Sequence, residues 1–119
     1  MPATVMVVND SAFEKMVMGN TLEEMGYQIV LSDEYRVEKM ISQAKPDVVL
    51  VNLVMESTTG DRLVLRLRKL WPQAAYVLTS CSRDKLEALK DHEALSGILV
   101  TPVTRDRMRR LMEEVIKSS

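Results

Sequence analysis

Residues 47–60 read DVVLVNLVMESTTG, and this stretch decides the fold. Val48 to Val51 is an unbroken β-branched and aliphatic run of strand length, stopped by Asn52 and followed by a polar loop that ends in Gly60 and leads into a helical pattern. A strand apolar on both sides is buried on both faces, the condition of a parallel sheet covered by helices. In such sheets ligands and reactions sit outside the carboxyl ends of the strands, which is where Asn52 falls. An amide there is weak chemistry, so the meaning of Asn52 bears on the function of the whole chain.

Working outward, the same unit recurs. Thr4 to Val8 (TVMVV) is a strand that stops at Asn9 and Asp10. Ser11 with Glu14 three residues on is the spacing of a capping box, and Val17, Met18, Leu22 and Met25 recur at helical spacing until Gly26 closes the helix. Tyr27 to Leu31 is a second strand. Ser32 is placed to cap a helix whose Val37, Met40, Ile41 and Ala44 face inward, and Pro46 forbids its continuation. After the opening stretch, a helix from about Asp61 to Leu70 turns Leu63, Leu67 and Leu70 to one face. Ala75 to Thr79 and Gly97 to Val100 are two more strands. Between them Ser82 opens a weaker helix, broken by the charged segment Lys90 to Glu93, and a last helix from Thr104 carries Met108, Leu111, Met112, Val115 and Ile116 inward. Five strands alternating with five helices predict an α/β fold, a doubly wound parallel sheet with helices on both faces.

Length and composition agree. A chain of 119 residues suits one domain, expected over 1–119, and 46% apolar with 28% charged residues is the balance of a soluble globular protein. No apolar run approaches the ~20 residues that cross a bilayer, and the N-terminus lacks the pattern of a secretory signal, so a cytoplasmic protein without membrane contact is expected. The lone Cys81 has no internal disulfide partner. Net charge is −1, but residues 1–60 hold nine acids and four bases while 61–119 hold eight acids and twelve bases. This asymmetry is read as solvated helix faces of differing sign.

The polar residues collect at the strand ends: Asn9 and Asp10 after the first, Asn52 on the third, Thr79 and Ser80 on the fourth, Thr101 and Pro102 after the fifth. The segments VMVVND, VVLVNLVM, YVLTS and GILVTP stand in order and spacing as in one known family. The chain, over residues 3–117, resembles the receiver domain of bacterial two-component response regulators, the single-domain chemotaxis type included. The resemblance implies a flavodoxin-like (βα)5 fold with strand order 2-1-3-4-5, and phosphorelay signalling as the setting. It also implies roles. The family's acidic pair falls on Asn9 and Asp10, its phosphoacceptor aspartate on Asn52, its switch hydroxyl on Thr79, its switch aromatic on Ile98 and its lysine on Thr101.

Only Asp10 and Thr79 keep the family's chemistry. An amide nitrogen is delocalised and uncharged, so Asn52 offers no nucleophile for an acyl phosphate. The three metal-ligand positions carry −1 where the family carries −3, and Mg²⁺ binding is expected to be weak or absent, with Asp10 the one weak candidate ligand. A buried lysine at 101 would have lost its partners, so Thr101 fits beside Asn9 and Asn52. The three replacements form a consistent set, whereas a single engineered Asp-to-Asn change at 52 would leave Asn9 and Thr101 unexplained. In the loop, Met55 is followed by Glu56 rather than the family's usual Pro, and Glu56 is a candidate compensating carboxylate.

The reading is therefore a degenerate receiver, not an enzyme, that serves as a phosphorylation-independent protein-interaction module. It is expected to be a monomer or weak homodimer, with Ile98, Arg105 and Arg109 on the partner face. Two other readings stand beside it: a phosphoacceptor using Asp10 and Glu56, and a small-ligand or nucleic-acid binder. Nucleic acid is disfavoured because the basic residues of the third and last helices have no interleaved aromatics. His92, in DHE, has no second ligand at metal spacing and reads as a surface histidine. Cys81 reads as a half-buried structural thiol.

Overall fold

The computed structural model describes residues 2–118; Met1 and Ser119, the ends of the single domain expected over 1–119, lie outside the described residues. In chain order it runs β1 (Thr4–Val8), α1 (Ala12–Glu24), β2 (Gln28–Ser32), α2 (Val37–Ala44), β3 (Val48–Asn52), α3 (Gly60–Leu70), β4 (Ala75–Ser80), α4 (Arg83–Glu87), β5 (Gly97–Val100) and α5 (Arg105–Ser118). All strand pairs are parallel and the order is β2-β1-β3-β4-β5, as the alternation and the resemblance implied.

Side chains alternate across a strand, so each inner strand feeds two cores. Val5, Val7, Leu50 and Val77 point to one face, where Leu22, Met18, Met108 and Met112 of α1 and α5 cover them. Met6, Val8, Val51 and Leu78 point to the other, under Ile41, Leu63, Leu67 and Leu86 of α2, α3 and α4. Tyr76 is the largest fully buried side chain, and its hydroxyl donates to the carbonyls of Trp71 at 2.6 Å and Leu67 at 3.2 Å. Those bonds fix the C-terminal end of α3 over β4. Burial pushes the phenol up to about 12.

Several local expectations need correction. Ser32 does not cap α2, because β1 pairing carries β2 through Val8↔Ser32 and Ser32 is the last strand residue. Asp33 turns the chain instead, its Oδ1 accepting the N–H groups of Tyr35 and Arg36, both at 3.0 Å. Leu70 is exposed at the C-terminal end of α3, and Val64 takes its place in the buried stripe with Leu63 and Leu67. Val17 is exposed too, since the buried stripe of α1 is Met18, Gly19 and Leu22. A Cβ at Gly19 would stand 3.1 Å from Leu31 Cδ2, so a glycine lets α1 lie close on β2. The expected capping box forms on one side only. The Glu14 N–H donates to Ser11 Oγ at 3.2 Å, but the Glu14 carboxylate turns away to Asn9.

Candidate functional site

The strand ends converge as the sequence implied, and the two asparagines are held by both ends of their amides. Asn9 is buried, accepts the Ser11 N–H on Oδ1 at 2.8 Å and donates from Nδ2 to Glu14 Oε2 at 3.0 Å. Asn52, half-buried, accepts from the Thr79 hydroxyl at 3.4 Å and donates from Nδ2 to the Val54 carbonyl at 2.8 Å. Both Nδ2 partners, a carboxylate and a carbonyl, only accept. An aspartate at either position would face an acceptor with an acceptor. The register Asn52↔Thr79 brings the switch-like hydroxyl to the amide, and Thr79 is only 2% exposed.

Asp10 is occupied as well, accepting the Glu34 N–H at 3.4 Å and the Glu56 N–H at 3.0 Å. Glu34, unnoticed in the sequence, is the buried carboxylate of the site at 6% exposure. Its two oxygens take the Ser57 N–H at 3.0 Å and the Ser57 hydroxyl at 2.9 Å. Burial by itself raises the Glu34 pKa, but the hydrogen bonds from Ser57 lead the effects that outweigh it and hold the group below its ordinary range. Glu56 accepts the Tyr35 hydroxyl at 3.0 Å, and that bond above all pushes the exposed phenol up to about 12. The loop after β2 is thereby tied to the loop after β3.

One oxygen each from Asp10, Glu34 and Glu56 lies within 4.8 Å of the others. These are hard ligands of the type Mg²⁺ or Ca²⁺ takes, and no Lys or Arg hydrogen-bonds to them among the described residues. The donor set fits a divalent cation, which these three residues would hold and which would offset two of their three negative charges. The sequence count of −1 considered three fixed positions, and the fold supplies two more acids from neighbouring loops. No sequence spacing flags Glu34: it is 24 residues from Asp10 and 23 from Ser57.

The remaining expected residues are dispersed. Thr101 lies beyond β5, half-buried, with its N–H on the Ser80 carbonyl at 2.9 Å and a cis peptide to Pro102. Met55 packs partly buried on the core and lines a shallow cavity with Lys85, Ala88 and Leu89. Ile98 shares a cleft with Arg83 and Arg107. Arg105 instead reaches α1, pairing with Glu24 at 2.8 Å, and Arg109 pairs with Asp106 at 3.3 Å. The three residues named for the partner face therefore do not form one cluster. His92 is half-buried, its Nδ1 accepting the Ala94 N–H at 3.1 Å, a local turn role. Cys81 is exposed, contrary to the half-buried thiol expected, because the chain leaves the sheet at Ser80.

Comparison with known proteins agrees with this architecture. A protein-glutamate methylesterase/protein-glutamine glutaminase 2 of Shewanella sp. (strain MR-4) is 27% identical over all of this chain, which spans only 37% of that protein's length. Chemotaxis protein CheY of Thermotoga maritima is 24% identical, with 95% of this chain and 97% of that protein covered. The solved structure of Vibrio cholerae chemotaxis protein CheY4 superposes with a TM-score of 0.85 at 22% identity, covering 97% of this chain and 99% of that one. No helix among the described residues is long and apolar enough to cross a membrane. The family model described as the response regulator receiver domain matches residues 5–113, and with the five-stranded fold and its polar strand ends this establishes that the chain belongs to the response regulator receiver domain family of two-component signalling.

Proposed function

We propose that this receiver domain signals by binding protein partners without being phosphorylated, and that Asn52 stands where the family keeps its phosphoacceptor. The observation that carries the reading is the engagement of Asn52 by both ends of its amide, Thr79 on one side and the Val54 carbonyl on the other. The amide nitrogen is uncharged, its lone pair is delocalised and its N–H is committed to the Val54 carbonyl, so it offers no nucleophile for phosphorus. Asn9 supports the same reading, since its Nδ2 serves Glu14 in a way a carboxylate would not. The rival in which Asp10 or Glu56 accepts the phosphoryl group is disfavoured: Asp10 already takes two backbone N–H groups and Glu56 a tyrosine hydroxyl.

Incubation with acetyl phosphate and Mg²⁺, followed by intact-protein mass measurement, tests the reading. The expected spectrum is that of the unmodified chain. An adduct of one phosphoryl group that hydroxylamine removes and that Asp10→Ala abolishes would overturn it.

A further inference from the structure

The apolar surface of α1 has no place in the site just described. Phe13 is 70% exposed, Met16 50% and Val17 45%, side by side on one helix. A cavity of about 280 Å³ lies beside them, lined by Phe13, Val17, Thr21, Cys81, Pro102 and Val103, at the seam between α1 and the turn into α5. Exposed apolar residues in such a group mark an interaction surface, whereas single ones do not.

The charges around this seam point to its occupant. α1 carries three acids, Glu14, Glu23 and Glu24, against the one base Lys15. The adjacent α5 carries five bases, Arg105, Arg107, Arg109, Arg110 and Lys117, against three acids, Asp106, Glu113 and Glu114. The two helices therefore differ in sign, −2 against +2; both pack on the same core, and the Glu24–Arg105 pair at 2.8 Å joins the end of α1 to the start of α5. An isologous interface requires a patch and its complement on the same face of one molecule. We propose that this face is the interface of a two-fold homodimer, with α1 of each protomer against α5 of the other and the partner's Phe13 seated in the groove.

The size of the face sets the strength. Two helices of roughly 20 Å, each about 10 Å across, offer on the order of 400 Å² in projection. Standard interfaces bury about 800 Å² per partner, so the dimer is a weak one, formed at high-micromolar concentration and weakened by salt. It does not depend on the chemistry of Asn52.

Sedimentation equilibrium of the whole chain from about 20 μM to 1 mM tests it, bracketing the affinity expected of a small interface. The dimer fraction is expected to rise with concentration and to fall several-fold in half-molar salt. Phe13→Asp and Arg109→Glu each give monomer across the range while keeping the parent's melt, because both side chains are exposed. Leu65→Asp, at an apolar site on α3 that is 47% exposed, leaves the association intact. A monomer at the highest concentration, or a dimer that survives Phe13→Asp or is lost with Leu65→Asp, overturns the proposal.

Discussion

Glu34 holds Ser57 by two hydrogen bonds, 3.0 Å from the backbone N–H and 2.9 Å from the hydroxyl, and so joins the loop after β2 to the loop after β3. A hydroxyl bond to a charged, buried acceptor contributes about 1.5–3 kcal/mol. Ser57→Ala removes that bond and leaves the N–H in place, so it should destabilise the protein by about 1–2 kcal/mol. Urea unfolding checks this, the midpoint falling with the slope unchanged.

The same carboxylate gives the fold an acid limit. The Glu34 pKa is raised by burial and lowered by more through hydrogen bonds from Ser57 and its neighbours, and the net direction is down from 4.5. A depressed carboxylate contributes stability that is fully present above its unfolded pKa and is lost as pH falls through the lower folded value. Glu34→Gln should therefore be less stable than the parent by a constant margin at pH 5 to 7. Below about pH 4.5 the margin should shrink, as the parent protonates. Stability curves of both proteins from pH 7 to pH 3 measure the gap.

Restoring the family's aspartate is predicted to harm this protein. Asn52→Asp turns the donor facing the Val54 carbonyl at 2.8 Å into an acceptor and places a fourth negative charge near Asp10, Glu34 and Glu56. An unpaired buried polar group costs about 1–3 kcal/mol, more when charged. The melting temperature measured in chelator should drop by several degrees at pH 7 and recover in part at pH 4, where the new carboxyl begins to protonate. An unchanged melt would show that the Val54 bond contributes nothing.

Much of this was legible in the chain because burial leaves a periodic trace. The run from Val48 to Val51 and its counterparts fixed the strands, and the punctuation at Pro46 and Gly26 fixed the helix ends. Asn52, Thr79 and Thr101 were found because a parallel sheet brings its strand ends to one edge. Glu34 and Ser57 were not, since a hydrogen bond between two loops has no period and depends on coordinates alone. Leu70 and Val17 were misplaced for a related reason: helical spacing says which residues share a face, but not where the covering sheet ends. The pairing of Arg105 with Glu24 was not legible either, because 81 residues separate them and only the fold brings them together.

Gly60 is the tightest point beneath the site. A Cβ there would collide with the backbone oxygen of Asn52 and lie 2.9 Å from Leu78 Cδ2, while the Gly60 N–H holds the Leu53 carbonyl at 2.7 Å. Neither the helix start nor the strand end can retreat without breaking that bond. Gly60→Ala should destabilise by about 2–3 kcal/mol, at the upper end of overpacking effects. Gly26→Ala offers the contrast: nothing lies within 4 Å, and its φ of +96° alone sets the penalty, about 1–2 kcal/mol. Paired urea melts should rank the two in that order.

The acids at the strand ends set the response to Mg²⁺. Asp10, Glu34 and Glu56 gather three hard oxygens within 4.8 Å, which draws a dication. Against this, the Glu34, Glu56 and Ser57 N–H groups and the hydroxyls of Ser57 and Tyr35 already bond to the same carboxylates, and a cation would have to share or displace them. The balance is weak binding, in the range of about 10 mM, for which ligand linkage gives roughly 0.4 kcal/mol at an equal concentration of free metal. On a domain of this size that is a rise of about 1–3 °C in melting temperature, and less than about 1 °C at tenfold lower Mg²⁺. Glu34→Gln should erase the rise. A large shift at low Mg²⁺ would mean that the loop ties yield readily and that the three carboxylates form a working metal site.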